Sequence, residues 1–95
     1  MALATYDLRI PGCTSLKEKR RAVKALTGGL RATFNVSVAE VNHHNLWQRT
    51  TIAVSAVGAE GFHLKKVMHE VERFVDRQPA VEIIGTDVTM HSPDD

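Results

Sequence analysis

The stretch Thr14-Ser15-Leu16-Lys17-Glu18-Lys19-Arg20-Arg21 decides the fold, because it marks the point where the chain changes from a strand to a helix. Ser15 and Glu18 have the spacing of a capping box, in which the serine hydroxyl accepts a bond from the third helical N–H and the glutamate reaches back to the serine N–H. From Leu16 to about Thr33, one stripe repeats every three or four residues, which predicts an amphipathic helix. The stripe consists of Leu16, Lys19, Val23, Leu26 and Leu30.

Strand patterns lie on both sides of this helix. Residues 2–10 alternate between apolar and mostly polar side chains until Pro11-Gly12, which predicts a strand with one buried face. Residues 34–41 and 46–57 predict a hairpin of two strands around the turn Asn42-His43-His44-Asn45, whose asparagines tolerate left-handed conformations.

The second half of the chain repeats the change from helix to strand. An apolar stripe from Leu64 to Val75 predicts a second helix that stops before Pro79. Residues 81–90 predict a fourth strand, and residues 91–95 a frayed tail.

The resulting order, β-α-β-β-α-β, predicts an α+β fold of the ferredoxin-like type, with a four-stranded antiparallel sheet and both helices on one face. At 95 residues the chain is expected to form one domain, 1–95. The opposite sheet face would be open and mostly polar. Its expected members are Thr5, Asp7, Arg9, Asn35, Ser37, Arg49, Thr51 and Ser55. Trp47 would join them, because it alternates in step with Arg49 and Thr51 along the strand.

Composition limits the class of protein. No apolar run of about 18 residues is present, so no membrane span is expected. The N-terminus lacks the pattern of a signal peptide, and one cysteine, Cys13, cannot form an internal disulfide, so a cytoplasmic protein is expected. No histidine or cysteine spacing predicts a metal site, and no cofactor is expected.

Positive charge is concentrated at the start of the chain. Residues 1–33 hold seven of the twelve lysines and arginines but only two of the eleven acidic residues. This concentration is typical either of a solvated helix face or of a surface that binds phosphates. The candidate anion or RNA contacts are Arg9, Ser15, Lys17, Lys19, Arg20, Arg21, Lys24 and Arg31.

A second candidate surface involves the only tryptophan, Trp47. It either closes the core, packs over the sheet edge or forms a partner contact, because exposed tryptophans are favoured anchors of protein interfaces. Glu40 and Arg49 lie on the two hairpin strands, which predicts either a cross-strand ion pair or a small polar network. No second carboxylate, oriented base or phosphate-binding loop completes a catalytic constellation, so a non-enzymatic role is expected.

Three motifs together resemble the YlxP-like family of small bacterial proteins over about residues 3–90. They are Leu16-Lys17-Glu18-Lys19-Arg20 after a Pro-Gly turn, Phe34-Asn35-Val36-Ser37-Val38-Ala39-Glu40-Val41, and Leu46-Trp47-Gln48-Arg49. The resemblance implies a ferredoxin-like fold with no settled biochemical function. The gene neighbourhood of that family, near ribosome-binding factor A and a translation initiation factor, implies a role close to ribosome assembly or translation. Carried over by position, the resemblance implies that the family's marked residues are Ser15, Leu16, Lys17, Lys19, Arg20, Glu40, Trp47 and Arg49.

These observations favour a binding protein that contacts RNA or a ribosomal assembly through its basic first helix. The alternative is a protein-interaction module or homodimer that uses the open sheet face and Trp47.

Overall fold

A computed structural model of the chain describes residues 1–91 and confirms the predicted order of elements. The elements are β1 (Ala2–Arg9), α1 (Leu16–Thr33), β2 (Ser37–Asn42), β3 (Arg49–Ala56), α2 (Gly61–Asp76) and β4 (Glu82–Met90). The strands form one antiparallel sheet in the order β2-β3-β1-β4, so the fold is ferredoxin-like.

Alternation along the central strands places the core on one face of the sheet. In β1, Ala2, Ala4, Tyr6 and Leu8 are fully buried beneath the helices, while Leu3, Thr5, Asp7 and Arg9 face the other way. In β3, Thr50, Ile52, Val54 and Ala56 face the same core. The strand register places the buried residues of β1 beside the buried residues of β3. Both helices therefore pack on this face, and the other face stays uncovered.

The two helices meet at Gly29, where the ring of Phe74 packs directly against α1. A Cβ atom at Gly29 would lie 3.0 Å from Cζ of Phe74, so the absence of a side chain permits this close approach. The same ring meets Phe34 edge to face, with centroids 5.9 Å apart. Gly28-Gly29 therefore neither ends nor interrupts the helix, which runs on to Thr33.

The hairpin strands are shorter than the sequence predicts. Phe34 caps α1 by donating its N–H to the Leu30 carbonyl at 2.9 Å, so β2 begins only at Ser37. Residues 43–48 form the loop, and β3 begins at Arg49. Trp47 and Asn35 therefore lie outside the strands and are not members of the open face. His43, with φ of 60°, takes the left-handed conformation that was expected of the asparagines.

The end of β4 also differs from the sequence prediction. The His91 N–H donates to the Met1 carbonyl at 2.7 Å, which extends the β1–β4 ladder by one residue. His91 is therefore ordered rather than frayed, and the rest of the predicted tail, residues 92–95, lies outside the described residues. No helix in the described part of the chain has both the length and the apolar character that crossing a membrane requires.

Candidate nucleic-acid interface

Four cations form a continuous stripe along the exposed side of α1. Lys17, Arg20, Arg21 and Lys24 are all exposed, and their spacing of three, four and seven residues places them on one side of the helix. None of the four belongs to an ion pair within residues 1–91. Two helical turns, about 10 Å along the axis, separate Lys17 from Lys24. We refer to these four residues as the α1 basic stripe.

The N-terminus of α1 is closed by its own side chains. The Glu18 N–H donates to the Ser15 hydroxyl at 3.1 Å, as the capping box predicts. The Glu18 carboxylate accepts from the Thr14 N–H at 3.0 Å instead of from Ser15, and it also accepts from the Thr14 hydroxyl. A carboxylate therefore occupies the place at the helix start that would attract an anion. Ser15 caps the helix, and the exposed positive charge lies along the helix side.

Lys19 requires a correction, because it is not part of the exposed positive charge. Its side chain is only 1% exposed, and its Nζ lies 2.8 Å from Oε2 of Glu40. The same ammonium donates to the His43 carbonyl, and the Thr50 hydroxyl donates to Glu40. Lys19 and Thr50 are buried and Glu40 is 20% exposed, so the three residues form a largely buried polar cluster between α1 and the sheet, called here the buried cluster. A charge buried in this way must be paired, which excludes Lys19 as a contact for an external phosphate.

The ionisation of Glu40 reflects this cluster. Burial alone acts to raise the pKa of Glu40, but the hydrogen bonds from Lys19 and Thr50 and the charges of Lys19 and His44 outweigh it. The net result is a pKa below the ordinary value, so the Glu40 carboxylate is charged at neutral pH.

The buried cluster also fixes the 43–48 loop against the beginning of α1. The ammonium of Lys19 holds the His43 carbonyl, while Nε2 of Gln48 donates to the Cys13 carbonyl at 3.1 Å. Cys13 is buried in the core, and its thiol donates to the Ser15 carbonyl at 3.3 Å. The loop is thereby tied to the same end of the molecule as the first turn of the α1 basic stripe.

This loop presents the largest exposed side chains near α1. Trp47 is 51% exposed and Leu46 is similarly exposed. The first alternative for Trp47, closure of the core, is therefore wrong. Its indole lies on the rim of the molecule, where it is available to a partner.

The first alternative for Glu40 and Arg49, an ion pair between them, is also wrong, because each belongs to a separate small polar network. Glu40 pairs in register with Ile52 and faces the helices, whereas Arg49 lies on the open face and binds Asp7 at 3.1 Å. Thr51 also donates to Asp7, at 3.2 Å. Glu40 and Arg49 therefore lie on opposite faces of the sheet.

The two outlying arginines differ in their contacts. Arg9 lies on the open sheet face, away from the helices, and its charge is paired with Glu82 at 2.8 Å. Arg31 is exposed on α1 seven residues after Lys24, but its guanidinium donates to the Val38 carbonyl at 2.6 Å. Arg9 therefore does not extend the α1 basic stripe, whereas Arg31 continues its positive charge with a side chain already bonded to β2.

The buried cluster was the part of the site that sequence analysis missed, although a signal existed. Lys19 lies within the apolar stripe of α1, Glu40 shares the parity of Val38, and Thr50 shares the parity of Ile52. Three polar side chains at core-facing positions are expected to contact one another, because each needs a hydrogen-bond partner inside the protein. Within residues 1–91, no group of three or more histidine, cysteine or acidic side chains is arranged to hold a metal ion.

Fold and site together define a small ferredoxin-like protein whose first helix carries an exposed basic stripe and, on its inner side, a buried lysine paired with a glutamate. The model of a protein family of unknown function, DUF503, matches residues 1–88. The chain is also similar to the uncharacterized protein YlxP of Bacillus subtilis strain 168. The two are 35% identical over 68 residues, which cover 72% of this chain and 74% of the relative. The chain belongs to this YlxP-like DUF503 family, and the resemblance seen in its sequence is confirmed.

Proposed function

We propose that this is a cytoplasmic, non-enzymatic protein that binds the sugar-phosphate backbone of RNA, free or within a ribosomal assembly, through the α1 basic stripe. The observation that carries the proposal is that all four cations of the stripe are exposed, share one helix side and have no carboxylate partner in residues 1–91. Lysine and arginine side chains arranged in this way neutralise successive phosphates and release counterions, which favours binding without sequence preference.

The stripe has room for a polyanion to approach closely. Gly28 follows Lys24 by one helical turn on the same side, is exposed, and has no atom within 4 Å of a Cβ position. The helix surface at Gly28 is therefore open to an approaching chain. The Leu46–Trp47 corner lies at the other end, where an indole ring offers one stacking surface to an unpaired base.

The salt dependence of RNA binding tests the proposal. Reversing two charges of the stripe, in Lys17→Glu/Arg20→Glu, should weaken binding to structured RNA by at least tenfold at low salt. It should also reduce the slope of log K against log salt by about 0.7–0.9 for each phosphate that is no longer neutralised. Fluorescence anisotropy with labelled RNA across a salt titration measures both quantities.

The matched control reverses two charges on the other helix. Lys66→Glu/Arg77→Glu changes the net charge by the same amount, and both residues are exposed on or next to α2. If this control weakens RNA binding as much as the α1 variant does, the attraction depends on net charge alone and the α1 basic stripe is not the binding surface.

A second candidate function is a protein contact, with another protein or a second copy, centred on Trp47. Residues Asn45 to Arg49 line a shallow depression of about 440 Å³ that includes the exposed indole. The open sheet face contributes less to this candidate, since Asp7, Arg9, Arg49 and Glu82 already neutralise one another across it.

Fluorescence of the single tryptophan separates the two candidates. If Trp47 stacks on a base, adding RNA quenches its emission, and Trp47→Ala weakens RNA binding by about 1–3 kcal/mol. If Trp47 anchors a contact between copies, raising the protein concentration shifts its emission to shorter wavelength, and Leu46→Ser reduces that shift. Emission that responds to neither RNA nor protein concentration would exclude both base stacking and self-association at this corner.

A further inference from the structure

The two outer edges of the sheet differ in a way that suggests a contact surface. Along β2, the Arg31 guanidinium donates to the Val38 carbonyl at 2.6 Å, and Nε2 of His44 lies 3.2 Å from the Glu40 carbonyl. Carbonyls two residues apart in a strand point to the same side, and β3 occupies the inner side of β2. Side chains therefore cover the outer edge of β2, which also carries a bulge between Glu40 and Asn42.

The outer edge of β4 has no such cover. In the described residues, no side chain forms a hydrogen bond with the backbone of β4. Its segment 85–90 pairs regularly with β1, without the irregularity found near Leu8. This segment contains no lysine or proline, and Val88 and Met90 are 46% and 37% exposed. An edge of this kind is a template for another strand.

A groove of about 290 Å³ runs between this edge and α2. Its wall contains Met68, Val88 and Met90, and its floor contains Tyr6, whose buried hydroxyl has no hydrogen-bond partner among residues 1–91. The edge and the groove together form one continuous surface that is largely apolar.

The charges on α2 indicate what covers this surface. Lys65, His69 and Glu72 line the groove, while Glu72, Arg73 and Asp76 line the depression beside Ile83 at the other end of β4. Along the side of α2 that faces the edge, charge thus changes from positive at Lys65 to mainly negative at Glu72 and Asp76. A two-fold axis reverses the direction of α2 and brings Lys65 of one copy near Glu72 of the other.

We infer that two copies of this chain pair through the outer edges of β4, antiparallel, to form one continuous eight-stranded sheet. The favoured register places Val88 opposite Val88 of the second copy, because a register centred on Asp87 would place two carboxylates face to face. In this arrangement the exposed methionines and valines of both grooves become buried. The inference is independent of the proposed RNA binding, since α1 packs beside β2 at the other side of the sheet.

Sedimentation equilibrium on the full chain tests the inference. We expect the wild type to be dimeric at micromolar concentration and Val88→Lys to be monomeric, because two ammonium groups would then meet on the axis. Val57→Lys is the matched control: Val57 is also exposed, lies after β3 rather than at the β4 edge, and should leave the dimer intact. Circular dichroism confirms that the variants are folded.

A charge exchange provides a second, independent measurement. Lys65→Glu and Glu72→Lys should each raise the dimer Kd by roughly tenfold, since symmetry removes two ion pairs at once, and the double variant should restore the wild-type Kd. A wild type that stays monomeric at high concentration would overturn the inference. So would a Val88→Lys variant with the wild-type Kd, or a dimer that Trp47→Ala disrupts while Val88→Lys does not.

Discussion

Replacing Glu40 by glutamine is expected to lower the free energy of unfolding by about 3–5 kcal/mol at neutral pH, because it leaves the buried Lys19 ammonium without a counter-charge. Lys19 is 1% exposed and lies 2.8 Å from Glu40, so its ammonium depends on this carboxylate for a counter-charge. A loss of this size is a large share of the total stability of a small domain. Urea denaturation followed by circular dichroism measures it.

The effect should depend on pH in a defined direction. Because its pKa in the folded protein is lowered, Glu40 contributes stability above the ordinary glutamate pKa of 4.5. That contribution is lost as the pH falls through the depressed native pKa. The difference in unfolding free energy between wild type and Glu40→Gln should therefore be full at neutral pH and shrink towards zero in acid.

Two further variants isolate the cause. Glu82→Gln removes a carboxylate from an ion pair of the same 2.8 Å length, but both side chains of that pair are about half exposed, so its loss should cost at most about 1 kcal/mol. The double variant Lys19→Met/Glu40→Leu removes both buried charges and should recover most of the stability lost in Glu40→Gln. Equal losses in Glu40→Gln and Glu82→Gln would contradict the buried ion pair.

The single tyrosine is expected to titrate far above the usual range. Burial, and to a smaller extent the charge of Glu72, raise the pKa of Tyr6 to about 12 from an ordinary value of 10.0. Since the chain has one tyrosine, the phenolate absorbance near 295 nm reports on Tyr6 alone. The folded protein should show a midpoint near 12, and the denatured protein one near 10.

This shift makes the fold sensitive to alkali. A tyrosine whose pKa is raised in the folded state releases its proton more readily when unfolded, so its contribution is intact below pH 10 and is lost as the pH rises towards 12. The loss should amount to roughly 3 kcal/mol across that window. Tyr6→Phe should abolish this component of the alkaline destabilisation.

The same variant tests the unpartnered hydroxyl at neutral pH. Tyr6→Phe removes a buried polar group that has no hydrogen-bond partner in the described part of the chain, so it should raise the free energy of unfolding by about 1 kcal/mol. A loss of stability instead would show that the hydroxyl has a partner in solution. A phenolate midpoint near 10 in the folded protein would contradict the burial of Tyr6.

Much of the fold was predictable because its signals are local. The capping residue Ser15 marks the start of α1, and the parity of Tyr6 and Leu8 identifies the buried face of β1. The ends of the hairpin strands were less predictable. Residues 46–48 continue an extended pattern in sequence, but the Leu46 N–H donates to the His43 carbonyl at 3.2 Å and Gln48 is tied to Cys13, so these residues belong to the loop.

By itself, the sequence determined the order of strands and helices, the faces that they bury and the cluster of positive charge in the first third of the chain. Periodicity fixes these features, since it depends only on neighbours within a few residues. Only the tertiary structure decided which cations remain exposed. Lys19 and Lys17 are equivalent in charge, but Lys19 meets a carboxylate 21 positions away while Lys17 faces solvent. Such pairing depends on which residues lie close together in the folded chain, and a local sequence pattern carries no information about that distance.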